Sequence, residues 1–140
     1  MKLIIKLLFL ITLCTAQYAA AQVVVVVSAK SPVAKLDKDQ VAALFLGKAT
    51  QLPGAGIPVL IDQPEAAEIR QMFYTKVTAK TPVQVKAIWS RLVFSGKGTL
   101  PKEVSNSDEV KKLLASNPDA VGYIDKSAVD GSVKVLLSID

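Results

Sequence analysis

Five consecutive valines, Val23 to Val27, constrain this chain more than any other stretch. A β-branched run with no polar alternation fits a strand buried on both faces, because a strand with one wet side would alternate. Such a strand needs a covering layer on each side. An α/β fold with parallel packing is the expectation.

The segments that follow supply those layers. Asp37 can cap a helix with Gln40 as reciprocal partner and Leu36 against Val41 as a hydrophobic staple. Val41, Leu44 and Phe45 then form the buried stripe, and Gly47 closes the helix in the left-handed conformation. Ile57 to Ile61 reads as a second buried strand with Pro58 near its start. Asp62 is expected to cap the next helix with Glu65 as capping-box partner, and Ile69, Met72, Phe73 and Val77 are its apolar face. Thr81-Pro82-Val83-Gln84 is a strong helix start, with Val85, Ile88, Trp89, Leu92 and Val93 following at helical spacing. Residues 95–106 read as an exposed loop, and Ser107 as the cap of a last helix carrying Val110, Leu113 and Leu114. Val121 to Ile124 and the stretch around Val133, Val135 and Leu137 are two final strands, with Asp130-Gly131 as a hairpin-like turn between them. The resulting fold class is α/β, with a mixed, mostly parallel sheet flanked by helices.

Residues 1–21 stand apart. Lys2 and Lys6 flank an apolar run from Leu3 to Leu13, and small residues end at Ala19-Ala20-Ala21, which is the pattern of a secretory signal peptide. The run is shorter than the ~20 residues that span a bilayer. Leu13 before Cys14 argues against a lipoprotein signal. The expected organisation is a signal peptide, 1–21, and a single domain, 22–140, located in the periplasm or secreted, with no membrane insertion after cleavage. Removing 21 of 140 residues leaves 119 with no cysteine and a net charge of +3, since two of the lysines behind the whole chain's +5 depart with the leader.

Composition narrows the chemistry. The chain has no histidine, so Ser-His-Asp triads, Cys-His pairs and His-ligated metal sites are excluded. The acidic pairs Asp37/Asp39, Glu65/Glu68 and Asp108/Glu109 read as helix-start charges rather than acid/base couples. Scattered lysines with few aromatics give no nucleic-acid platform. Ser95-Gly96-Lys97-Gly98-Thr99 lacks the first glycine and the Ser/Thr of a Walker A loop, and reads as a structural turn. No enzyme, no cofactor and no metal are expected.

The order of segments resembles one lobe of the phosphate-binding components of phosphate ABC transporters, in the type 2 class of periplasmic binding proteins. The residues that carry the resemblance are Leu36, Gln40-Val41, Phe45-Leu46-Gly47-Lys48, Phe73, Trp89, Gly96-Lys97-Gly98, and Asn117-Pro118-Asp119-Ala120-Val121-Gly122-Tyr123-Ile124-Asp125. The resemblance implies a single periplasmic-binding-protein-like lobe, an extracytoplasmic role and a small oxyanion such as phosphate as ligand. In such proteins the strand matching Ile57–Ile61 runs into an Arg and a Ser-Gly-Thr turn that holds phosphate at a helix N-terminus. Here that stretch is Asp62-Gln63-Pro64-Glu65-Ala66-Ala67-Glu68, where a proline removes an amide and three carboxylates take the anion's place. Full-length members also clamp the anion between two lobes.

Two candidate sites remain. Ser28, Lys30 and Ser31 follow the first strand, where hydroxyls and an ammonium suit an oxyanion, although an ordinary polar loop reads the same way. Arg70 could hold a carboxylate or phosphate, or pair locally with Glu65 and Glu68. The functional expectation is a solute-binding-like protein with weak anion capture. The alternative is an interaction or sensor module that has lost phosphate binding and meets an envelope protein or a second copy of itself.

Overall fold

A computed structural model describes residues 22–139. The signal-peptide reading falls on residues outside that range. Five strands form one sheet in the order β3-β2-β4-β1-β5, comprising β1 (Val23–Ser28), β2 (Val59–Asp62), β3 (Lys102–Glu103), β4 (Ala120–Asp125) and β5 (Val133–Ile139). The helices are α1 (Lys38–Phe45), α2 (Glu68–Thr78), α3 (Pro82–Phe94) and α4 (Ser107–Ser116).

The valine run is the centre of the sheet, and all five side chains are buried. Val23, Val25 and Val27 face a core built from α1, α2 and α3 with Phe45, Phe73, Tyr74 and Trp89. Val24 and Val26 face a smaller core with Val110 and Leu114 of α4. Double-sided burial is therefore as expected, but parallel pairing of this strand is not. β1 is antiparallel to both β4 and β5, while β2 is parallel to β3 and β4. Four strands point one way and β1 alone runs against them. Burial reports the layers above and below a strand and is silent on its direction, which is why the valines misled on this point.

The same geometry corrects the terminal hairpin. β1 lies between β4 and β5, so these two strands share a direction and cannot be joined by a tight turn. The chain crosses instead through a short 3-10 turn, Lys126–Ala128. The loop expected at residues 95–106 holds the two-residue strand β3, paired to Ile61 and Asp62.

Local signals are realised closely. Asp37 and Gln40 exchange their capping-box bonds at 2.7 and 2.9 Å. Thr81 and Gln84 do the same, with Pro82 in the first turn. The last helix is capped one residue earlier than expected: the Asn106 side chain accepts from the Glu109 amide, and Ser107 Oγ instead accepts from the Asp125 amide. At the end of α1, Gly47 has φ +71°. Its amide donates to the Leu44 carbonyl and that of Lys48 to Ala43, the paired bonds of a Schellman motif. Gly96 closes α3 in the same way, also at φ +71°, with its amide on Val93 and that of Lys97 on Leu92.

These two glycines differ in surroundings. A Cβ at Gly47 would lie 2.3 Å from Leu92 Cδ1, whereas one at Gly96 would meet nothing within 4 Å. Gly96→Ala should cost only the left-handed strain of about 1–2 kcal/mol. Gly47→Ala should cost that and about 1 kcal/mol more, the low end of overpacking, because the half-buried Leu92 side chain must shift its terminal methyl. Urea unfolding of both variants checks this, and equal losses would contradict close packing of α1 on α3.

Candidate functional site

β2 ends on Asp62, and everything chemically distinctive converges there. Asp62 and the next residue, Gln63, are buried polar groups beside the apolar core. Such groups are tolerated only when fully hydrogen-bonded. Tyr74 of α2 donates its phenol to Asp62 Oδ2 at 2.7 Å. Tyr123 of β4 donates its phenol to Oδ1, and the Gln63 amide donates to the same oxygen at 2.8 Å. Arg70 Nε lies 3.3 Å from Oδ1, and its guanidinium sits 4.8 Å from the centre of the Tyr74 ring. The Gln63 side chain donates to the Tyr123 carbonyl at 2.9 Å, bonding to β4 where the β2 ladder has ended.

Aromatic packing sets these groups in place. Phe73 stacks on Tyr123 with ring centres 4.0 Å apart and planes 7° from parallel. Phe45 meets the edge of Phe73 at 4.8 Å, and Phe73 meets Tyr74 at 5.1 Å. The core thus holds the bodies of both tyrosines while their hydroxyls reach one carboxylate.

This overturns the helix-cap reading of Asp62. α2 begins six residues later, at Glu68, with Ala67 as an N-cap that offers no side-chain bond. Asp-x-x-Glu looks like a capping box in one dimension, but here the aspartate is the buried end of a strand. The structure also pairs Arg70 with Asp62 in place of Glu65 or Glu68. The partner could not be read locally, since the phenols that orient Asp62 lie 12 and 61 residues away. Their signal was the presence of two tyrosines in core positions, each of which needs a hydroxyl partner.

Above Asp62 opens a cleft of about 240 Å3 between α2, α3 and the end of β3. Val85 and Trp89 line its depth, and Glu65, Lys86, Ser90 and Glu103 line it with Arg70 and Asp62. Three carboxylates face two cations. Burial is the largest single influence on the Arg70 pKa and lowers it, but the charge of Asp62, its hydrogen bond, and the Tyr74 and Tyr123 hydroxyls together outweigh burial, so the net shift is upward. Burial, reinforced by the charge of Asp62, also drives the Tyr74 and Tyr123 hydroxyls far above their usual range.

The other candidates lie elsewhere. Because β1 runs against its neighbours, Ser28, Lys30 and Ser31 sit at the edge of the sheet opposite Asp62 and Arg70. The four do not form one site. Ser28 and Ser31 are buried, and their hydroxyls accept from the amides of Lys30 and Val33, while Lys30 is exposed. Lys134 Nζ donates to the Ser31 carbonyl at 2.6 Å. The Ser95–Thr99 turn spends the amides of Gly96 and Lys97 on helix carbonyls, in keeping with a structural role. Trp89, read as core, is buried and donates to the Phe45 carbonyl at 2.8 Å. Among the described residues no group of three or more Asp and Glu side chains is placed to hold a metal ion, and no helix is long and apolar enough to cross a membrane.

Solved structures with this architecture decide the fold. A Clostridium perfringens protein described as a phosphate ABC transporter substrate-binding protein, with bound phosphate, aligns over 83% of this chain at 23% identity and a TM-score of 0.66. The fold is a single periplasmic-binding-protein-like lobe. An ABC-type phosphate transport receptor from Vibrio cholerae is similar at 19% identity and a TM-score of 0.65, and PstS from Borrelia burgdorferi at 10% and 0.59. In each case the match covers 44–46% of the longer protein, so this chain spans less than half the length of the structures it resembles. No protein-family model matches the chain, and no curated protein matches it.

Two measurements test the buried cluster. In protein beginning at residue 22, Tyr74 and Tyr123 are the only tyrosines. Their folded pKa values are raised, so the unfolded chain loses protons first above about pH 10, and stability falls as pH rises from there. Absorbance at 295 nm should therefore show no tyrosinate until the protein unfolds; ionisation in the folded state would refute the cluster. Asp62→Asn removes the charge that Arg70 faces and one strong acceptor, and should lower stability by roughly 2–3 kcal/mol in urea unfolding.

Proposed function

We propose that this chain is an exported, non-enzymatic interaction lobe in which the phosphate site of the proteins it resembles is closed by its own side chains. One observation supports this above others: Arg70, the only arginine lining the cleft, is already paired with Asp62, which two phenols and an amide hold in place. A bound phosphate would have to compete with that carboxylate at close range. It would also approach Glu65 and Glu103 at the cleft and Glu68 at the start of α2. The electrostatics disfavour a small anion throughout.

On this reading the crevice end of the lobe contacts another protein of the cell envelope. The leader-like residues 1–21 support an extracytoplasmic location. The alternative, weak anion capture at Ser28, Lys30 and Ser31, gains little support from hydroxyls engaged in local turns.

Thermal melting of the purified protein with phosphate and sulfate tests the proposal. A ligand present at 100 times its dissociation constant adds about 2.7 kcal/mol of stability. No shift in melting temperature is expected with either anion at millimolar concentration. A phosphate-dependent rise that Arg70→Gln removes would overturn the closed-site reading, and one that Lys30→Ala removes would move the site to the opposite edge of the sheet.

A further inference from the structure

The charge of this protein is not spread evenly. Between Lys80 and Lys102 lie five cations, Lys80, Lys86, Arg91, Lys97 and Lys102, and no acid. The rest of the chain from residue 22 onward carries ten cations and twelve acids. A net charge of +5 is therefore concentrated in 23 residues of a chain whose remainder is −2. The same segment carries most of the exposed apolar surface: Phe94 is 96% exposed, Val83 76% and Leu100 60%.

Helical spacing places two of these cations and two of these apolar side chains on one face. α3 turns Val85 and Trp89 into the core. The opposite side is formed by Val83, Ala87, Ser90 and Phe94, all exposed, with Lys86 and Arg91 on its flanks. Val83 and Phe94 are eleven residues apart, about 16 Å along the axis. Between them Ala87 and Ser90 leave a low ledge. Lys86 and Ser90 also line the cleft above Asp62, so the ledge is continuous with the crevice end of the lobe.

We infer that this face of α3 docks an acidic protein partner, with Phe94 and Val83 as apolar anchors and Lys86 and Arg91 as a charged rim. The inference rests on the interaction-lobe reading and names its surface and partner chemistry. An exposed aromatic within a polar, charged rim has the composition of an interface, and a rim of one sign selects a partner of the other sign. A second copy presenting the same face would set Lys86 and Arg91 against the same two cations. An anionic membrane surface is matched less well, because an interfacial helix inserts a continuous apolar stripe, and here the middle of the face is Ala87 and Ser90.

The test is photo-cross-linking in the producing cell. Benzoylphenylalanine is incorporated in the full-length chain at Ala87 and, separately, at Ser90, with Lys112 of α4 on the other face of the sheet as control. The expected result is an adduct from positions 87 and 90, absent from 112, that mass spectrometry identifies as a protein of net negative charge. Its yield should fall at least about tenfold with Phe94→Ser or with the pair Lys86→Glu and Arg91→Glu. These side chains are exposed, so unchanged melting of the variants shows that folding is intact. An adduct with the chain itself, with lipid, or with a protein lacking net negative charge would overturn the inference. Cross-links from Lys112 alone would overturn this surface but leave the interaction-lobe reading standing, and cross-links from none of the three positions would count against both.

Discussion

The site turns on a single buried carboxylate. Asp62 is placed by the end of the parallel strand β2, and its burial makes hydrogen-bonding partners obligatory. Those partners come from α2, from β4 and from the adjacent amide, so one side chain ties three elements together at the crevice end of the sheet. Two phenols without an acceptor, or a carboxylate without donors, would each be costly in this interior. The aromatic layer of Phe45, Phe73, Tyr74 and Tyr123 and the polar knot above it therefore depend on each other.

That knot has a functional side. A guanidinium held beside a carboxylate is a poor receptor for a free anion, and the acids at the start of α2 occupy the end of the helix that would otherwise favour one. The positive charge is concentrated in α3 and the segments flanking it, which also carry exposed apolar side chains. The lobe shares the fold of the solved phosphate-binding structures, and the proposal that it contacts a macromolecule rests on this distribution of charge and apolar surface.

Signals that act within about six residues were legible from the chain. The capping boxes at Asp37 and Thr81 and the left-handed glycine after α1 appear as expected, because each is completed by atoms a turn or less away. The residues that carried the family resemblance proved to be packing residues: Phe45, Phe73, Trp89 and Tyr123 lie in the main core, and Gly122 lets Val110 of α4 approach β4. They speak for the fold and much less for the ligand. Asp62 was not legible in this way, because its local pattern is that of a helix cap and its real partners are brought to it by the sheet and by α2.

The sequence by itself determined the four helices and four of the five strands, that the valine strand is covered on both sides, and that histidine- and thiol-based chemistry is absent from the portion after residue 21. These follow from periodicity, capping and composition, which are properties of the chain alone. Tertiary structure alone decided the direction of β1 and the insertion of β1 between β4 and β5. It also decided the separation of Ser28 and Arg70 to opposite edges and the pairing of Arg70 with Asp62. Strand direction and ion-pair choice depend on which distant groups share a small buried volume, and burial at a position is compatible with more than one such arrangement until the whole sheet is assembled.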